Sequence, residues 1–214
     1  AMGDVVTSRA GTIQNIDIKP DYVARLLRDR DDGPRPLRVV WDNASSAAGD
    51  VLSRVVSRLP GTHHILNGAI DGHFPAHHPD PTIPANMREL ADAVRAQKAD
   101  IGLAFDGDAD RLGVVDDTGT IIWADQLLVL VARDVLRTRP GATIIADVKA
   151  SQTLFDEVAR AGGTPLMWKS GHSPMKTKMA ETGAPLAGEM SGHFFFADRW
   201  YGFDDGLYAA IRLL

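Results

Sequence analysis

The segment IGLAFDGDADR, residues 101–111, joins a short apolar run to a loop in which three aspartates alternate with small residues. A continuous apolar run of this length, followed by turn residues, is typical of a buried strand. Asp106, Asp108 and Asp110 are spaced two apart, so their carboxylates can turn inward around a hard cation that prefers oxygen ligands. Mg²⁺ is favoured because it takes few carboxylates and keeps positions for water or a phosphate oxygen. The alternative is a solvated acidic turn between two strands.

The sequence on both sides of this segment alternates between short β-branched runs and helical patterns. This alternation predicts an α/β fold of two tandem three-layer α/β/α domains with mixed, mostly parallel sheets. Ligands are then expected at the carboxyl ends of strands. The predicted strands are 37–42, 65–66, 101–105, the hairpin 112–116 with 120–123, 143–148 and 185–187, and the predicted helices are 47–59, 86–97, 125–136, a helix from 151 to Gly162-Gly163 and 204–214.

The hairpin at 112–123 is the predicted joint between the domains, because the alternation restarts after it. We assign residues 19–120 to a first, metal-binding domain and residues 121–214 to a second. Residues 1–18 are interpreted as a tag remnant and linker, since Ala1 precedes Met2. The last helical pattern ends on Leu213 and Leu214 with no glycine cap, so we expect this helix to be truncated.

Composition excludes several classes of partner. The net charge of −5 provides no global positive field for nucleic acid or an anionic membrane surface. No apolar run approaches the length of a membrane helix, and no targeting segment is recognised. The absence of cysteine excludes a thiolate metal site and fits a reducing compartment, so we expect a cytoplasmic location.

A second motif, GEMSGH at residues 188–193, also follows a short apolar run. Glu189 and Ser191 lie two apart and face the same side of an extended segment, where they can accept from and donate to neighbouring sugar hydroxyls. The flanking glycines let the backbone approach a ligand closely. For His193 the sequence leaves both a structural and a functional role open.

Two further segments, DVKAS at 147–151 and WKSGHSPMK at 168–176, are placed at strand-to-helix junctions. Ser151 and Ser173 are the predicted N-caps of the helices that follow. Lys149 and His172 are then located where anions collect.

Five histidines at 63, 64, 73, 77 and 78 raise the question of a zinc site. Their spacing matches no known zinc pattern, and His78 precedes a proline-stiffened turn. A structural turn is therefore the favoured interpretation. Phe194 to Phe196 are predicted as strand core, not as a stacking platform for bases.

Together, the aspartate loop and the GEMSGH motif resemble the α-D-phosphohexomutase family, most closely its phosphomannomutase/phosphoglucomutase branch. The family's metal loop is usually Asp-Gly-Asp-Gly-Asp-Arg, and here Ala109 replaces a glycine. A second departure is Asn43-Ala44-Ser45-Ser46, where the family is usually glycine-rich. The methionine form of the second motif points to this branch.

The resemblance implies a role for each matching residue. Asp106, Asp108 and Asp110 would be the Mg²⁺ ligands, and Arg111 would contact phosphate. Glu189 and Ser191 would bind the 3- and 4-hydroxyls of a phosphohexose. His193 would lie near the reacting groups. Lys149 would contact the substrate and is a candidate general acid/base, and His172 would also contact the substrate.

The same resemblance covers only the second and third of the family's four domains. The phosphoserine loop belongs to the first domain and a distal phosphate-binding loop to the fourth, so these two domains are the implied partners. Ser170 precedes Gly-His but lies in the third-domain context, and we do not interpret it as the nucleophile. The parent enzyme would interconvert hexose 1-phosphate and hexose 6-phosphate, with glucose 1,6-bisphosphate as its activator.

Two other function classes stay open. A magnesium-dependent sugar-phosphate phosphatase would need an aspartate nucleophile in the aspartate loop and would release phosphate from a sugar bisphosphate. A non-catalytic sugar-phosphate binding module would lack the other two domains in its complete gene.

Overall fold

The computed structural model describes residues 11–30 and 33–214, and within these ranges it contains nine strands in two sheets. The prediction of a tag remnant at Ala1–Gly3 lies outside the described residues. The strands are β1 (Leu37–Asp42), β2 (Gly61–Leu66), β3 (Ile101–Phe105), β4 (Leu112–Asp116), β5 (Ile121–Ile122), β6 (Thr143–Asp147), β7 (Thr164–Trp168), β8 (Leu186–Gly188) and β9 (Phe194–Phe196).

The two sheets share one strand order. The first sheet runs β2-β1-β3-β4-β5 and the second runs β7-β6-β8-β9. In each, the first three strands along the chain pair in parallel, and the fourth returns antiparallel beside the third. The first sheet adds β5 at its edge. Two α/β units with similar strand topology therefore follow one another along the chain.

Helices cover both faces of each sheet, because successive residues of a buried strand point to opposite sides. In β1, Val39 and Trp41 pack with the helices α1 and α2, whereas Val40 packs with α3 on the other face. In β6, Ile144 packs towards α4 and α5, and Ile145 packs towards α6. The helices are α1 (Lys19–Leu27), α2 (Gly49–Val56), α3 (Arg88–Gln97), α4 (Ala124–Thr138), α5 (Gln152–Arg160), α6 (His172–Thr182) and α7 (Gly206–Leu213).

Helix α7 lies at the joint between the two units and contacts α1, β4 and β9. Asp205 caps it by accepting a hydrogen bond from Tyr208 N at 2.9 Å. The other carboxylate oxygen of Asp205 accepts from the Tyr22 hydroxyl of α1 at 2.8 Å. Burial raises the pKa of Asp205 to about 6, although the bonds from Tyr208 and Tyr22 act against the rise. A buried carboxyl group thus connects the first helix to the last.

The predicted fold class is confirmed, and the strand at Ile101–Phe105 is found with the predicted bounds. The predicted domain boundary falls between residues 120 and 121, but Ile121–Ile122 pair with β4 and so extend the first sheet. Ser151 occupies the N-cap position of α5, with no capping bond from its side chain. The predicted N-cap Ser173 is wrong, because α6 begins at His172 after Gly171, whose φ of 121° suits a residue without a Cβ.

Among the residues that the structure describes, none of the helices combines the length and the apolar character that crossing a bilayer requires.

Candidate functional site

The aspartate loop and the GEMSGH loop occupy equivalent positions in the two units. Each leaves the carboxyl end of the third strand of its unit and leads into the antiparallel fourth strand. Arg111, the last residue before β4, and His193, the last before β9, pair as an isolated antiparallel bridge. Next to it, Leu112 N donates to Gly192 O at 3.0 Å. The backbone thereby holds the two loops against each other.

In the aspartate loop, each of the three aspartates offers a carboxylate oxygen, and these oxygens lie within 4.8 Å of one another. Asp106 is buried at the end of β3, Asp110 is half-buried and Asp108 is exposed. Ala109 has a φ of 63°, which turns the backbone so that the carboxylates converge. This donor set matches what a hard divalent cation such as Mg²⁺ requires.

Arg111 neutralises part of this charge. Its Nε donates to Asp106 Oδ2 at 2.5 Å, its backbone N donates to Asp106 Oδ1 at 3.1 Å, and its Nη1 donates to Asp80 Oδ1 at 3.2 Å. Burial raises the pKa of Asp106, and Arg111 only partly offsets that rise. Arg111 thus has two carboxylate partners, so its implied phosphate contact stays a prediction.

His193 joins the two loops through its side chain. Its Nε2 lies 3.1 Å from Asp110 Oδ1 in the first unit, and its Nδ1 lies 3.1 Å from Glu189 Oε2 in the second. Burial alone would lower the pKa of His193, but the hydrogen bonds to Asp110 and Glu189 raise it to about 9. The ring is therefore an imidazolium at neutral pH, with one carboxylate on each side.

Glu189 is buried, and its carboxylate is held from two directions. Oε1 accepts from the backbone N of Gly171 at 2.5 Å, and Oε2 faces His193. Burial opposes ionisation, yet the contacts with His193 and Gly171 lower the pKa of Glu189 below its ordinary value. Ser191 Oγ lies 2.8 Å from His193 Nδ1 and 3.4 Å from Glu189 Oε2. The structure therefore brings Glu189, Ser191 and His193 together.

Among the described residues, no hydrogen bond or ion pair joins Lys149 or His172 to this cluster. Both are exposed, and within residues 11–30 and 33–214 Lys149 takes part in no ion pair. Asp147, buried at the end of β6, ties their loops to the GEMSGH loop: it accepts from Ser170 Oγ at 2.7 Å and from Met190 N at 3.3 Å.

Sequence reasoning missed two acidic residues of this site. The sequence signal that could have identified Asp147 is its position as a single acidic residue at the end of a buried apolar run. Asp204 lies far along the chain, yet its carboxylate falls within 4.8 Å of ligand atoms of Asp110 and His193 and pairs with Lys176 Nζ at 3.1 Å. No spacing pattern connects Asp204 to the aspartate loop.

Comparison with known families agrees with this geometry. Residues 20–119 match the model described as phosphoglucomutase/phosphomannomutase, alpha/beta/alpha domain II, and residues 123–214 match domain III of the same family. The chain belongs to the phosphoglucomutase/phosphomannomutase family. Both loops of the candidate site therefore lie in family domains that adjoin each other along the chain.

Several bacterial proteins are similar to this member of the phosphoglucomutase/phosphomannomutase family. A phosphomannomutase/phosphoglucomutase of Pseudomonas aeruginosa is 49% identical over 98% of the chain, and a phosphoglucomutase of Neisseria meningitidis is 44% identical over 99% of it. A crystal structure of a family protein from Burkholderia thailandensis is similar, with a TM-score of 0.88 and 51% identity over 92% of the chain, which is 43% of that protein. The chain spans less than half of the length of these relatives, 45% and 46% for the two enzymes.

Proposed function

We propose that this chain forms the two central domains of a phosphohexomutase, which moves phosphate between O1 and O6 of a hexose. The observation that carries the proposal is the position of His193, which contacts Asp110 of the aspartate loop and Glu189 of the GEMSGH loop at 3.1 Å each. A cation site and a sugar site joined through one side chain suit transfer of phosphate to and from a sugar hydroxyl.

The aspartate loop would hold one Mg²⁺, through Asp106, Asp108 and Asp110. When bound, the cation would supply positive charge to offset the charge of the transferring phosphoryl group. Arg111 would add a second positive group, directed by its contact with Asp106. The cation and the Arg111 guanidinium would thus be the two positive groups beside the transferring phosphoryl group.

The GEMSGH loop would orient the sugar. The Glu189 carboxylate and the Ser191 hydroxyl are held on the same side, and each oxygen keeps a lone pair for the 3- and 4-hydroxyls of the hexose. Recognition of these hydroxyls does not depend on which end of the sugar is reacting. That property allows a 1,6-bisphosphate intermediate to turn over and bind in either orientation.

Proton transfer would use Lys149 and His193, with His172 contacting the substrate from the start of α6. Lys149 is exposed at the carboxyl end of β6 and offers three donors without a competing carboxylate among the described residues. Both ring N–H groups of His193 face carboxylates, so it would act as a general acid towards a developing sugar oxyanion by releasing one of these two contacts.

The complete enzyme would include a phosphoserine domain before this chain and a phosphate-binding domain after it, and glucose 1,6-bisphosphate would activate it. Such an enzyme would act in the cytoplasm. Ser170 is not proposed as the nucleophile, because its hydroxyl donates to the buried Asp147 at 2.7 Å. A phosphatase is less well supported, since both oxygens of Asp106, which follows β3 directly, accept hydrogen bonds from Arg111; these bonds weaken the carboxylate as a nucleophile but leave a lone pair on each oxygen for a cation.

The test compares the chain alone with a longer protein that contains it. The assay converts glucose 1-phosphate or mannose 1-phosphate to the 6-phosphate, with Mg²⁺ and catalytic glucose 1,6-bisphosphate, and measures inorganic phosphate in parallel. We expect mutase activity only in the longer protein, and a loss of at least about a hundredfold in its His193→Ala variant. Phosphate release as the main reaction, or turnover by the chain alone that Ser170→Ala abolishes, would contradict the proposal.

A further inference from the structure

A second group of metal-ligand side chains lies in the first unit and shares no residue with either loop of the candidate site. Asp42 ends β1, His77 lies in the segment after β2, and Glu89 is in the first turn of α3. Each offers one ligand atom, and these atoms lie within 4.8 Å of one another. The mutase chemistry proposed above uses none of these residues.

The hydrogen bonds of His77 require positive charge at Nε2, either as a proton on the ring or as a bound cation. Its Nδ1 lies 3.0 Å from the carbonyl oxygen of His78, which can only accept, so Nδ1 carries the hydrogen. Its Nε2 lies 2.8 Å from Asp42 Oδ2. A neutral ring would therefore direct a lone pair at a carboxylate oxygen. The contact becomes attractive only with a proton on Nε2 or with a metal ion that binds both atoms.

The surrounding hydrogen bonds have the arrangement that often accompanies a metal-bound histidine. A metal-bound histidine usually donates its second ring N–H to a backbone carbonyl or a carboxylate, as His77 does to His78. Asn67 Nδ2 donates both to Asp42 Oδ1 at 3.0 Å and to Glu89 Oε2 at 3.1 Å. This amide draws the two carboxylates together and fixes their orientation.

The three ligands range from the interior to the surface. Asp42 is fully buried, the His77 side chain is 16% exposed, and Glu89 is exposed. His77 and Glu89 line a surface groove of about 500 Å³, together with Asn86 and Arg88. An ion can enter through this groove, and water or a small anion can complete its coordination from the same side.

We propose that Asp42, His77 and Glu89 form a second divalent-cation site that binds Zn²⁺ in preference to Mg²⁺. One imidazole nitrogen and two carboxylate oxygens suit a borderline ion such as Zn²⁺, and three protein ligands with one open position are a common zinc arrangement. Mg²⁺ prefers an all-oxygen set.

Such an ion would also order the segment that reaches the aspartate loop. The carbonyl of His78 accepts from His77 and from the backbone N of Asp80 at 2.9 Å. Asp80 in turn accepts from Arg111 Nη1 at 3.2 Å. Binding at His77 would therefore stabilise the position of Arg111 without contacting the substrate.

The test is a Zn²⁺ titration of the chain carrying Asp108→Asn, in excess Mg²⁺, so that the aspartate loop does not compete. We expect one Zn²⁺ per chain, with an anomalous diffraction peak between Asp42 and His77. His77→Gln should weaken binding by about a hundredfold or more, and Asn67→Gly, which tolerates the φ of 50° at this position, by about tenfold to a hundredfold.

The matched control is His73→Gln, because His73 is exposed and pairs only with its neighbour Asp71 among the described residues. It should bind Zn²⁺ like the parent chain. Equal Zn²⁺ affinity in the His77→Gln and His73→Gln variants, or anomalous density only elsewhere, would overturn the proposal. So would an Nε2–H resonance of His77 that persists unchanged in excess Zn²⁺, since the contact with Asp42 would then be an ion pair alone. None of these readouts depends on mutase activity.

Discussion

The aspartate loop and the GEMSGH loop follow equivalent strands of two similarly ordered sheets, yet their chemistry differs. The first presents three carboxylates of one kind, and the second presents a carboxylate, a hydroxyl and an imidazole. The shared topology brings both loops to the carboxyl edges of their sheets, as expected for α/β folds. Topology thus determines where the loops lie, and the different side chains are the reason we propose a cation for one loop and a sugar for the other.

The two loops also meet at equivalent positions, because Arg111 and His193 are each the last residue before the fourth strand and pair with one another. Neither loop is complete alone. The Arg111 guanidinium pairs with Asp106 of its own loop and with Asp80 of the first unit, whereas the His193 imidazolium pairs with one carboxylate from each loop. The joint between the units is therefore part of the candidate site.

The largest effect is expected at Gly192, where the backbone contact between the loops can be broken. Its φ is 96°, and a Cβ there would lie 2.9 Å from the carbonyl oxygen of Leu112. Gly192→Ala combines backbone strain with a clash against backbone, so we expect a loss of about 4 kcal/mol in the free energy of unfolding. Urea denaturation measures this change.

The matched control is Gly162→Ala. Gly162 has a similar φ of 83°, but a Cβ there meets nothing within 4 Å. Its cost should be that of the backbone alone, about 1 kcal/mol. If both variants lose the same free energy of unfolding, then Gly192 is not in tight contact with the backbone of Leu112, and the account of the joint is wrong.

The fold and the individual motifs were predictable from the sequence, but contacts between distant segments were not. The run at Ile101–Phe105 is apolar throughout because both faces of β3 are covered, so its bounds were clear. β2 was predicted only at 65–66, since it is an edge strand on which the polar His63 and His64 are tolerated. The Asp42–His77 pair spans 35 residues, which no local spacing pattern can show.

The second contact between the units, through Asp205, gives a pH test. The pKa of Asp205 in the folded chain is about 6, above its ordinary value of 3.8. Between these values the folded state binds more protons than the unfolded state, so the contribution of Asp205 to stability is complete below pH 4 and is lost as the pH rises through 6.

Asp205→Asn keeps an acceptor for Tyr208 N and removes this ionisation. Relative to the parent, the variant should therefore gain about 2.5 kcal/mol of stability between pH 4 and pH 7. Denaturant unfolding at both values measures the gain. Asp156→Asn, at an exposed site on α5, is the control and should show a nearly constant difference. A constant difference for Asp205→Asn as well would show that its carboxyl group is not protonated in the folded chain near neutral pH.

A smaller effect, on the kinetics of the longer enzyme, is expected to differ between substitutions at two neighbouring residues of the GEMSGH loop. In the longer enzyme, Glu189→Gln should lose about 2 kcal/mol of transition-state stabilisation, about thirtyfold in kcat/KM, with both glucose and mannose phosphates, because a charged sugar contact is lost. Met190→Gln should be milder, since the Met190 backbone makes the contact with Asp147. Unchanged kinetics for Glu189→Gln would remove the sugar role from this loop.

The central claim is that His193 joins the two loops into one site, and its titration tests that claim most directly. NMR of the metal-free chain in a chelating buffer should give His193 a pKa of about 9. Because each carboxylate stabilises the imidazolium, Asp110→Asn and Glu189→Gln should each lower that pKa, and Asp156→Asn should leave it unchanged. A pKa near 6.5 in the parent chain, or a pKa that responds to Glu189→Gln but not to Asp110→Asn, would contradict the account.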